Sequence, residues 1–142
     1  MSKQNHTVLL VDDSEDDRFF MRRSLSEDPR LNVVWEACNG EEAIAYLSGQ
    51  EPFHDRGKYP YPKMLILDLK MPRKTGYDVL EWLRAKSQDL IVIVASGSFL
   101  PEDVARSFSL GARAYHKKSA LKEEQDLILR DIERLLESCN GK

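Results

Sequence analysis

Five polar side chains in this chain each stand where a short apolar run ends. They are three carboxylates, one hydroxyl and one ammonium: Asp12, Asp13, Asp68, Ser96 and Lys118. Clustered carboxylates, with backbone carbonyls and waters, suit Mg²⁺, a hard cation that prefers oxygen ligands. A carboxylate can also act as a nucleophile and form an acyl phosphate. A lysine ammonium and a serine hydroxyl suit phosphoryl oxygens. Brought together, the five would suit phosphoryl transfer to a carboxylate.

Asp68 has an ordinary explanation when it is taken alone. It follows the apolar residues Met64 to Leu67 and is itself followed, after one residue, by Lys70-Met71-Pro72. An aspartate in such a place is more often a turn residue or a helix cap than a reactive group. Chemistry becomes the better interpretation only because the other four side chains occur in equivalent places.

The acidic stretch from Asp12 to Asp17 contains five acids in six positions. Ser14 is a good N-cap, and Asp17 three residues later suits a capping box and the helix dipole. The start of a helix therefore explains the residues from Ser14 onwards. Asp12 and Asp13 precede the cap and are left unexplained. Because adjacent carboxylates repel each other, they indicate a cation site.

Strand and helix patterns alternate five times along the chain. Short apolar runs predict buried strands at residues 8–11, 33–37, 64–68, 91–95 and 114–116. Helical spacing and capping residues predict helices at about residues 15–26, 41–47, 77–86, 101–110 and 121–138. This alternation predicts an α/β fold, a doubly wound parallel sheet of five strands with five helices on its two faces.

The predicted sheet would gather the five polar side chains at one edge. In open α/β sheets, sites form outside the carboxyl ends of the strands, where the strand order reverses. If the strands are ordered 2-1-3-4-5, that point lies between the first and third strands. Asp13 and Asp68 would then face each other there.

The connection from Ser48 to Lys63 is long for a compact domain and contains three aromatic residues, Phe53, Tyr59 and Tyr61. A loop of this length is usually functional or disordered. The aromatic residues favour an ordered loop or a contact surface, and a solvated insertion is the alternative.

Composition and charge exclude several classes of protein. The 142 residues fit one domain, and the net charge of −3 argues against nucleic-acid binding. The longest apolar run, Leu90 to Ala95, is too short to span a membrane, and the N-terminus lacks the apolar segment of a secretory signal. Cys38 and Cys139 are predicted to be free thiols in a reducing cytoplasm. The three histidines, His6, His54 and His116, show no metal-ligand spacing and are expected at the surface or in loops.

Taken together, these residues resemble the receiver domain of two-component response regulators over residues 7 to about 138. The matching motifs are LLVDD, LILDLKMPRKTG, VASG and LGARAYHKK. The resemblance implies a flavodoxin-like fold with the order 2-1-3-4-5 and a single receiver domain over residues 1–142. Lys118, rather than Lys117, matches the family's lysine because it lies three residues after Tyr115.

The resemblance also assigns roles to individual residues. Asp68 would be the phosphoacceptor, forming a 4-aspartylphosphate. The Mg²⁺ ligands would be Asp13, Asp68 and the backbone carbonyl of Lys70, with Asp12 helping through water. Ser96 and Lys118 would contact the phosphoryl group, and Ser96 and Tyr115 would form the switch. As a separate hypothesis, Lys70 and Ser98 are expected near the path of the hydrolytic water, where they would tune the lifetime of the phosphoryl group.

Two features depart from the usual family pattern. Ser119 stands where the family has proline after the lysine, which leaves open whether the Lys118–Ser119 peptide bond is cis or trans. The connection from Ser48 to Lys63 is also longer than usual. Both features resemble the stand-alone regulators that pair with bacterial phytochrome kinases.

The function implied is a signalling switch rather than an enzyme, with catalysis limited to its own phosphorylation and dephosphorylation. A sensor histidine kinase, with a bacterial phytochrome as the candidate, would donate the phosphoryl group in the cytoplasm. No output domain is predicted. The surface formed by the fourth helix, fifth strand and fifth helix would therefore act on an unknown downstream protein or on a second copy, as a homodimer.

Three other functions are alternatives to a receiver switch. An aspartyl-nucleophile phosphatase would need a second acid where Lys70 stands. A flavodoxin-like cofactor binder would need a Gly/Ser/Thr-rich phosphate loop where Asp12 to Asp17 would repel phosphate. A degenerate receiver acting as a constitutive protein-interaction adaptor is the main alternative.

Overall fold

The computed structural model of the protein describes residues 6–119 and 121–140. Within them lie the strands β1 (His6–Val11), β2 (Leu31–Ala37), β3 (Met64–Leu67), β4 (Ile91–Ser96) and β5 (Ala114–Lys117). All neighbouring strands pair in parallel, in the order β2-β1-β3-β4-β5. The predicted strand order is therefore confirmed.

Five helices follow the strands in turn: α1 (Glu15–Leu25), α2 (Gly40–Ser48), α3 (Gly76–Ala85), α4 (Pro101–Ser109) and α5 (Lys122–Asn140). Successive residues of β1 face opposite sides of the sheet, as the two-residue period of a strand requires. Val8 and Leu10 pack in the core that α1 and α5 cover, and Leu9 and Val11 in the core that α2 and α3 cover. The doubly wound α/β prediction is confirmed.

Most element ends lie within two residues of their predicted positions. β1 and β2 each begin two residues earlier than predicted, because His6 and Leu31 extend the pairing of the two strands. β3 ends at Leu67, so Asp68 is the first residue beyond it. A glycine just past the last residues of a helix predicts its C-terminal end, and Gly111 follows the end of α4 with a φ of 113°, a left-handed conformation that glycine adopts without strain.

The histidine prediction was wrong for two of the three residues. His6 is 1% exposed because the longer β1 carries it into the sheet, and its backbone amide donates to the carbonyl of Arg30. His116 is half-buried in β5, and its Nε2 lies 2.7 Å from Asp131 Oδ2 on α5. His54 is exposed, as expected.

Other side chains can be compared with their predicted places. Helical spacing puts Phe20, Met21 and Leu25 on one apolar face of α1 and leaves Phe19 off it, which predicts an exposed side chain. Phe19 is 46% exposed. Helical spacing predicts Ile44 in the core, but Ile44 is only half-buried, whereas Ala43, Tyr46 and Leu47 of α2 are buried. Cys38 is exposed and free, and the side chain of Cys139 lies outside the described residues.

The connection between α2 and β3 is an ordered loop, which agrees with the aromatic pattern. Phe53 is 5% exposed, and its ring centroid lies 5.0 Å from that of Tyr46 and 5.2 Å from that of Trp35. Arg56 fastens the loop by donating to the carbonyl oxygens of Leu47 and Tyr59. A solvated insertion is therefore excluded. In the part of the chain that the structure describes, no helix combines the length and apolar character that crossing a membrane requires.

Candidate functional site

The carboxyl ends of β1 and β3 lie side by side and bring three carboxylates together. Asp12, Asp13 and Asp68 each offer an oxygen, and these oxygens all lie within 4.8 Å of one another. The cause is the sheet order, which pairs Val11 at the end of β1 with Leu67 at the end of β3. The next residue of each strand then emerges at the same edge.

Asp68 is held by its backbone on two sides. Its amide donates to the carbonyl of Val11 at 2.9 Å. The first residue of α3, Gly76, packs so closely behind it that a Cβ there would lie 2.2 Å from the Asp68 carbonyl oxygen. Glycine is therefore the residue that lets α3 begin at this point. The arrangement leaves the phosphoacceptor candidate in a fixed place at the rim.

The Asp68 side chain is 4% exposed. The pKa of Asp68 is raised to about 6. Burial is the main cause, the nearby charge of Lys118 opposes it, and the charge of Asp12 adds to it. Burial also raises the pKa of Asp12, although hydrogen bonds from Lys118 and Ser14 oppose that effect. Two partly desolvated acids at this distance repel each other, and a cation would relieve that repulsion.

Asp12 and Asp13 divide between the interior and the surface. Asp12 is half-buried and its Oδ1 accepts a hydrogen bond from the Ser14 amide at 2.9 Å, while its backbone carbonyl accepts from Arg18 at 2.6 Å. Asp13 is exposed. One carboxylate is thus fastened to the loop, and the other is open to an arriving ion.

Lys118 supplies the positive charge of the site. Its amide donates to the carbonyl of Ser96 at 2.8 Å, so the end of β4 positions the residue. Its Nζ lies 2.9 Å from Asp12 Oδ2, 2.9 Å from Asp17 Oδ2 and 3.2 Å from Asp68 Oδ2. Burial lowers the pKa of this ammonium, but the contacts with Asp12, Asp17 and Asp68 outweigh burial and raise the pKa.

Asp17 belongs to this cluster, although its sequence pattern predicted only a role in capping the first helix. Its backbone is capped as predicted, since the Asp17 amide donates to Ser14 Oγ at 3.2 Å. Its carboxylate contacts Lys118 instead of completing a capping box, because Asp12 already accepts from the Ser14 amide. The available signal was position: the first turn of a helix that starts at the rim brings its side chains close to the strand ends.

Ser96 and Tyr115 lie on the other side of the rim. Ser96 is fully buried at the end of β4, and its Oγ accepts from the Ser98 amide at 3.1 Å. Tyr115 is half-buried on β5 and its hydroxyl donates to the Ser98 carbonyl at 2.7 Å. Burial raises the pKa of Tyr115. The two residues are therefore linked through Ser98 in this conformation.

Lys70 and Ser119 occupy the two loops that border the cluster. The Lys70 Nζ lies 3.8 Å from Asp103 Oδ2. The Lys118–Ser119 peptide bond is trans, since the cis bond within the described residues is Glu51–Pro52. Ser119 Oγ accepts from the Leu121 amide at 3.0 Å, just before α5 begins.

This site fits a small divalent cation. The donors are all oxygen, three carboxylates converge, and the single ammonium leaves their negative charge in excess. A carboxylate nucleophile beside a cation site and a lysine is suited to receiving a phosphoryl group.

Two structures of similar proteins match nearly the whole chain. The phosphorylated cyanobacterial phytochrome response regulator RcpA is 25% identical, with a TM-score of 0.77 and 91% of each chain covered. The Mn²⁺-bound form of the response regulator Rcp1 is 27% identical, with a TM-score of 0.74, and the match covers 87% of this chain and 88% of that one. The likeness to phytochrome-associated regulators inferred from the sequence is confirmed.

Among curated proteins, the nitrate/nitrite response regulator NarL of Escherichia coli K12 is 34% identical over 122 residues. That match covers 86% of this chain and 51% of NarL, so the chain spans about half the length of this relative. The family model described as the response regulator receiver domain matches residues 8–133. The chain therefore belongs to the response regulator receiver domain family.

Proposed function

We propose that this protein is a phosphorylation-dependent switch whose Asp68 accepts a phosphoryl group from a sensor histidine kinase. The observation that carries the proposal is the buried Asp68 carboxylate, placed within 4.8 Å of two further carboxylates and 3.2 Å from the Lys118 ammonium. That RcpA was crystallised in a phosphorylated form supports it.

In the transfer step, a carboxylate oxygen of Asp68 attacks the phosphorus of the kinase phosphohistidine. A P–O bond forms, the P–N bond breaks, and the imidazole leaves with the electron pair and takes a proton from solvent. Asp13, Asp68 and the Lys70 backbone carbonyl would hold Mg²⁺, with Asp12 helping through water. The ion, when bound, supplies positive charge against the charge that develops on the phosphoryl group.

Lys118 and Ser96 then hold the product. The Lys118 ammonium shifts from the carboxylates to a phosphoryl oxygen, and the Ser96 hydroxyl donates to another. To shift the ratio of active to inactive conformations from 1:99 to 99:1, the phosphoryl group must favour the active one by roughly 5.5 kcal/mol. A hydrogen bond to a charged group contributes about 1.5–3 kcal/mol. Ser96 and Lys118 with nearby amides are therefore sufficient to drive the switch, whereas Ser96 alone is not.

The output would be a changed surface on α4, β5 and α5. Exposed apolar side chains are already present on or beside these elements: Phe99, Leu100, Phe108 and Leu127. Such side chains suit a protein partner, which we propose is a downstream protein or a second copy of the chain. The likeness to RcpA supports a phytochrome-type kinase as the phosphoryl donor.

Intact mass after incubation with a small phosphodonor and Mg²⁺ tests this function. We expect one phosphoryl adduct on the wild type, none on Asp68→Asn, and none when Mg²⁺ is chelated. An adduct that persists on Asp68→Asn would show that another residue accepts the phosphoryl group. No adduct on the wild type, together with no Mg²⁺ binding, would overturn the proposal in favour of a constitutive adaptor.

A further inference from the structure

A second buried carboxylate lies outside the phosphoacceptor cluster. Asp103, in the first turn of α4, is 8% exposed. Its Oδ2 accepts a hydrogen bond from the Ser98 hydroxyl at 2.6 Å, and its Oδ1 accepts one from the Tyr77 hydroxyl of α3. The Lys70 ammonium lies 3.8 Å away. Two helices and two loops therefore meet at one carboxylate.

α4 begins without a side-chain cap. The N-cap residue, Leu100, has no side chain that could accept a hydrogen bond from the first turn. Asp103 instead reaches back past the N-cap to Ser98, two residues before it. The hydrogen bonds from Ser98 and then Tyr77 lower the pKa of Asp103, so the group is a carboxylate at neutral pH. The start of α4 is thus tied to the loop that follows β4.

Ser98 connects that tie to the switch residues through three different groups. Its amide donates to Ser96 Oγ at 3.1 Å. Its carbonyl accepts from the Tyr115 hydroxyl at 2.7 Å. Its hydroxyl donates to Asp103. Any movement of Ser98 therefore changes the surroundings of Ser96 and Tyr115 together.

We infer that Asp103 is a positioning residue that holds Tyr115 against the loop after β4, acting through the Ser98 hydroxyl. With the hydroxyl fixed on α4, the Ser98 carbonyl stays where the Tyr115 hydroxyl reaches it. Without this anchor the loop takes up more conformations, and the Tyr115 ring moves outward. A displacement of Ser96 towards Asp68 would pull on the Ser98 amide, and the anchor passes that pull to Tyr115 and α4.

The first test needs no ligand and does not depend on the proposed function. The full chain is labelled with ¹³C in its tyrosine rings, and the Tyr115 signals are assigned with Tyr115→Phe. A soluble paramagnetic agent then measures ring exposure. We expect Ser98→Ala and Asp103→Asn each to shift the Tyr115 signals and raise their exposure, while Ser98→Thr keeps the hydroxyl and the wild-type signals.

Matched controls separate this role from a general loss of structure. Ser109→Ala removes a serine hydroxyl at the far end of α4, and Glu102→Gln neutralises the acid next to Asp103. Both should leave Tyr115 at wild-type values, and Tyr59 in the distant aromatic loop should not move in any variant. Unchanged Tyr115 signals in a folded Ser98→Ala protein would overturn the inference, and that variant decides the matter if Asp103→Asn does not fold.

A second test rests on the proposed function and uses beryllofluoride with Mg²⁺ as the phosphoryl analogue. In the proposed switch, Tyr115 turns inward when Asp68 carries the phosphoryl group. Because the anchor favours the inward Tyr115, thermodynamic linkage then requires that loss of the anchor weaken analogue binding. We expect the half-saturating concentration to rise about fivefold or more in Ser98→Ala and Asp103→Asn. A wild type that does not bind the analogue would count against the proposed function alone. Binding to the wild type with no change in the variants would overturn the coupling inferred here.

Discussion

The Asp68 carboxyl group combines burial with a neighbouring like charge, and together they set its proton affinity. The pKa of Asp68 is raised from 3.8 to about 6. Burial is the largest cause, the charge of Lys118 opposes it, and the charge of Asp12 adds to it. At pH values between the unfolded pKa of 3.8 and the folded pKa of about 6, Asp68 binds more protons in the folded protein than in the unfolded chain. The contribution of Asp68 to the stability of the metal-free protein should therefore fall as the pH rises through this window, by about 3 kcal/mol at most.

Asp68→Asn removes this titration and should stabilise the metal-free protein. We expect the gain in the free energy of unfolding to grow by about 2 kcal/mol between pH 4.5 and pH 7. Urea unfolding in the presence of a chelator measures it at each pH. A gain of the same size at both pH values would contradict the raised pKa, since the benefit would then not depend on ionisation.

Asp17 affects the site through charge and through the position of Lys118. The Asp17 carboxylate lies 2.9 Å from the Lys118 ammonium and shares this ammonium with Asp12 and Asp68. In Asp17→Asn the ammonium would rest more fully on Asp12 and Asp68 and compete with a cation there. We expect Mg²⁺ affinity, measured by calorimetry, to fall about twofold to fivefold, as for a partly exposed charge pair.

Asp16→Asn is the matched control for Asp17, because it removes the same charge from the neighbouring residue of α1. Asp16 is exposed. We expect a smaller loss of Mg²⁺ affinity there, due to the long-range field alone. Equal losses in the two variants would mean that Asp17 acts only as a distant charge and not through Lys118.

At the scale of elements, the connection from β3 to α3 depends on a close approach of two backbones. A Cβ at Gly76 would meet the Asp68 carbonyl oxygen at 2.2 Å and the Leu69 Cα at 2.8 Å. Both are backbone atoms and cannot rotate away. We expect Gly76→Ala to lower the free energy of unfolding by about 1–3 kcal/mol, as overpacking does elsewhere.

Gly97→Ala serves as the control for that substitution. Gly97 also lies at the rim, but a Cβ there meets no atom within 4 Å. Urea unfolding should give nearly the same stability for Gly97→Ala as for the wild type. If both alanine variants lost equal stability, the cause would be the removal of glycine from a loop and not the contact with Asp68.

At the scale of the whole molecule, the loop between α2 and β3 is part of the main core. Phe53 packs with Trp35, Tyr46 and Tyr59, with ring centroids 5.0–5.2 Å from those of Phe53 in each case. We expect Phe53→Ala to cost about 3–5 kcal/mol in urea unfolding. His54→Ala, at the exposed neighbouring position, should cost little, and a small loss for Phe53→Ala would mean that the loop packs only loosely.

The proposed switch also predicts which regions respond together. With beryllofluoride and Mg²⁺, amide hydrogen exchange should change in the rim loops and across α4, β5 and α5. Phe53 and Tyr59 of the loop between α2 and β3 should not change, because their rings pack on Trp35 of β2 and Tyr46 of α2, at the opposite edge of the sheet from β5. A change in that loop as large as in α4 would assign it to the responding surface.

The pattern of the sequence was sufficient to predict the fold because its signals are local. Runs such as Met64–Leu67 are apolar at every position, as a strand buried on both faces must be, and the residues beyond them are polar. Alternation of these runs with helices leaves few topologies. The positions of Asp12, Asp13, Asp68, Ser96 and Lys118 at the rim were predicted in this way, since each lies at or just beyond the end of its strand.

The sequence by itself therefore determined the layers, the rim and the types of side chain on it. Only the tertiary structure decided which groups touch. The contact of Asp17 with Lys118 joins residues 101 positions apart, and Asp103 reaches Tyr77 on another helix. Burial of His6 likewise depends on β2 pairing beyond the apolar run. Such contacts depend on how helices and strands pack against each other. The periodicity of apolar residues along one element does not show which side chains of another element it will meet.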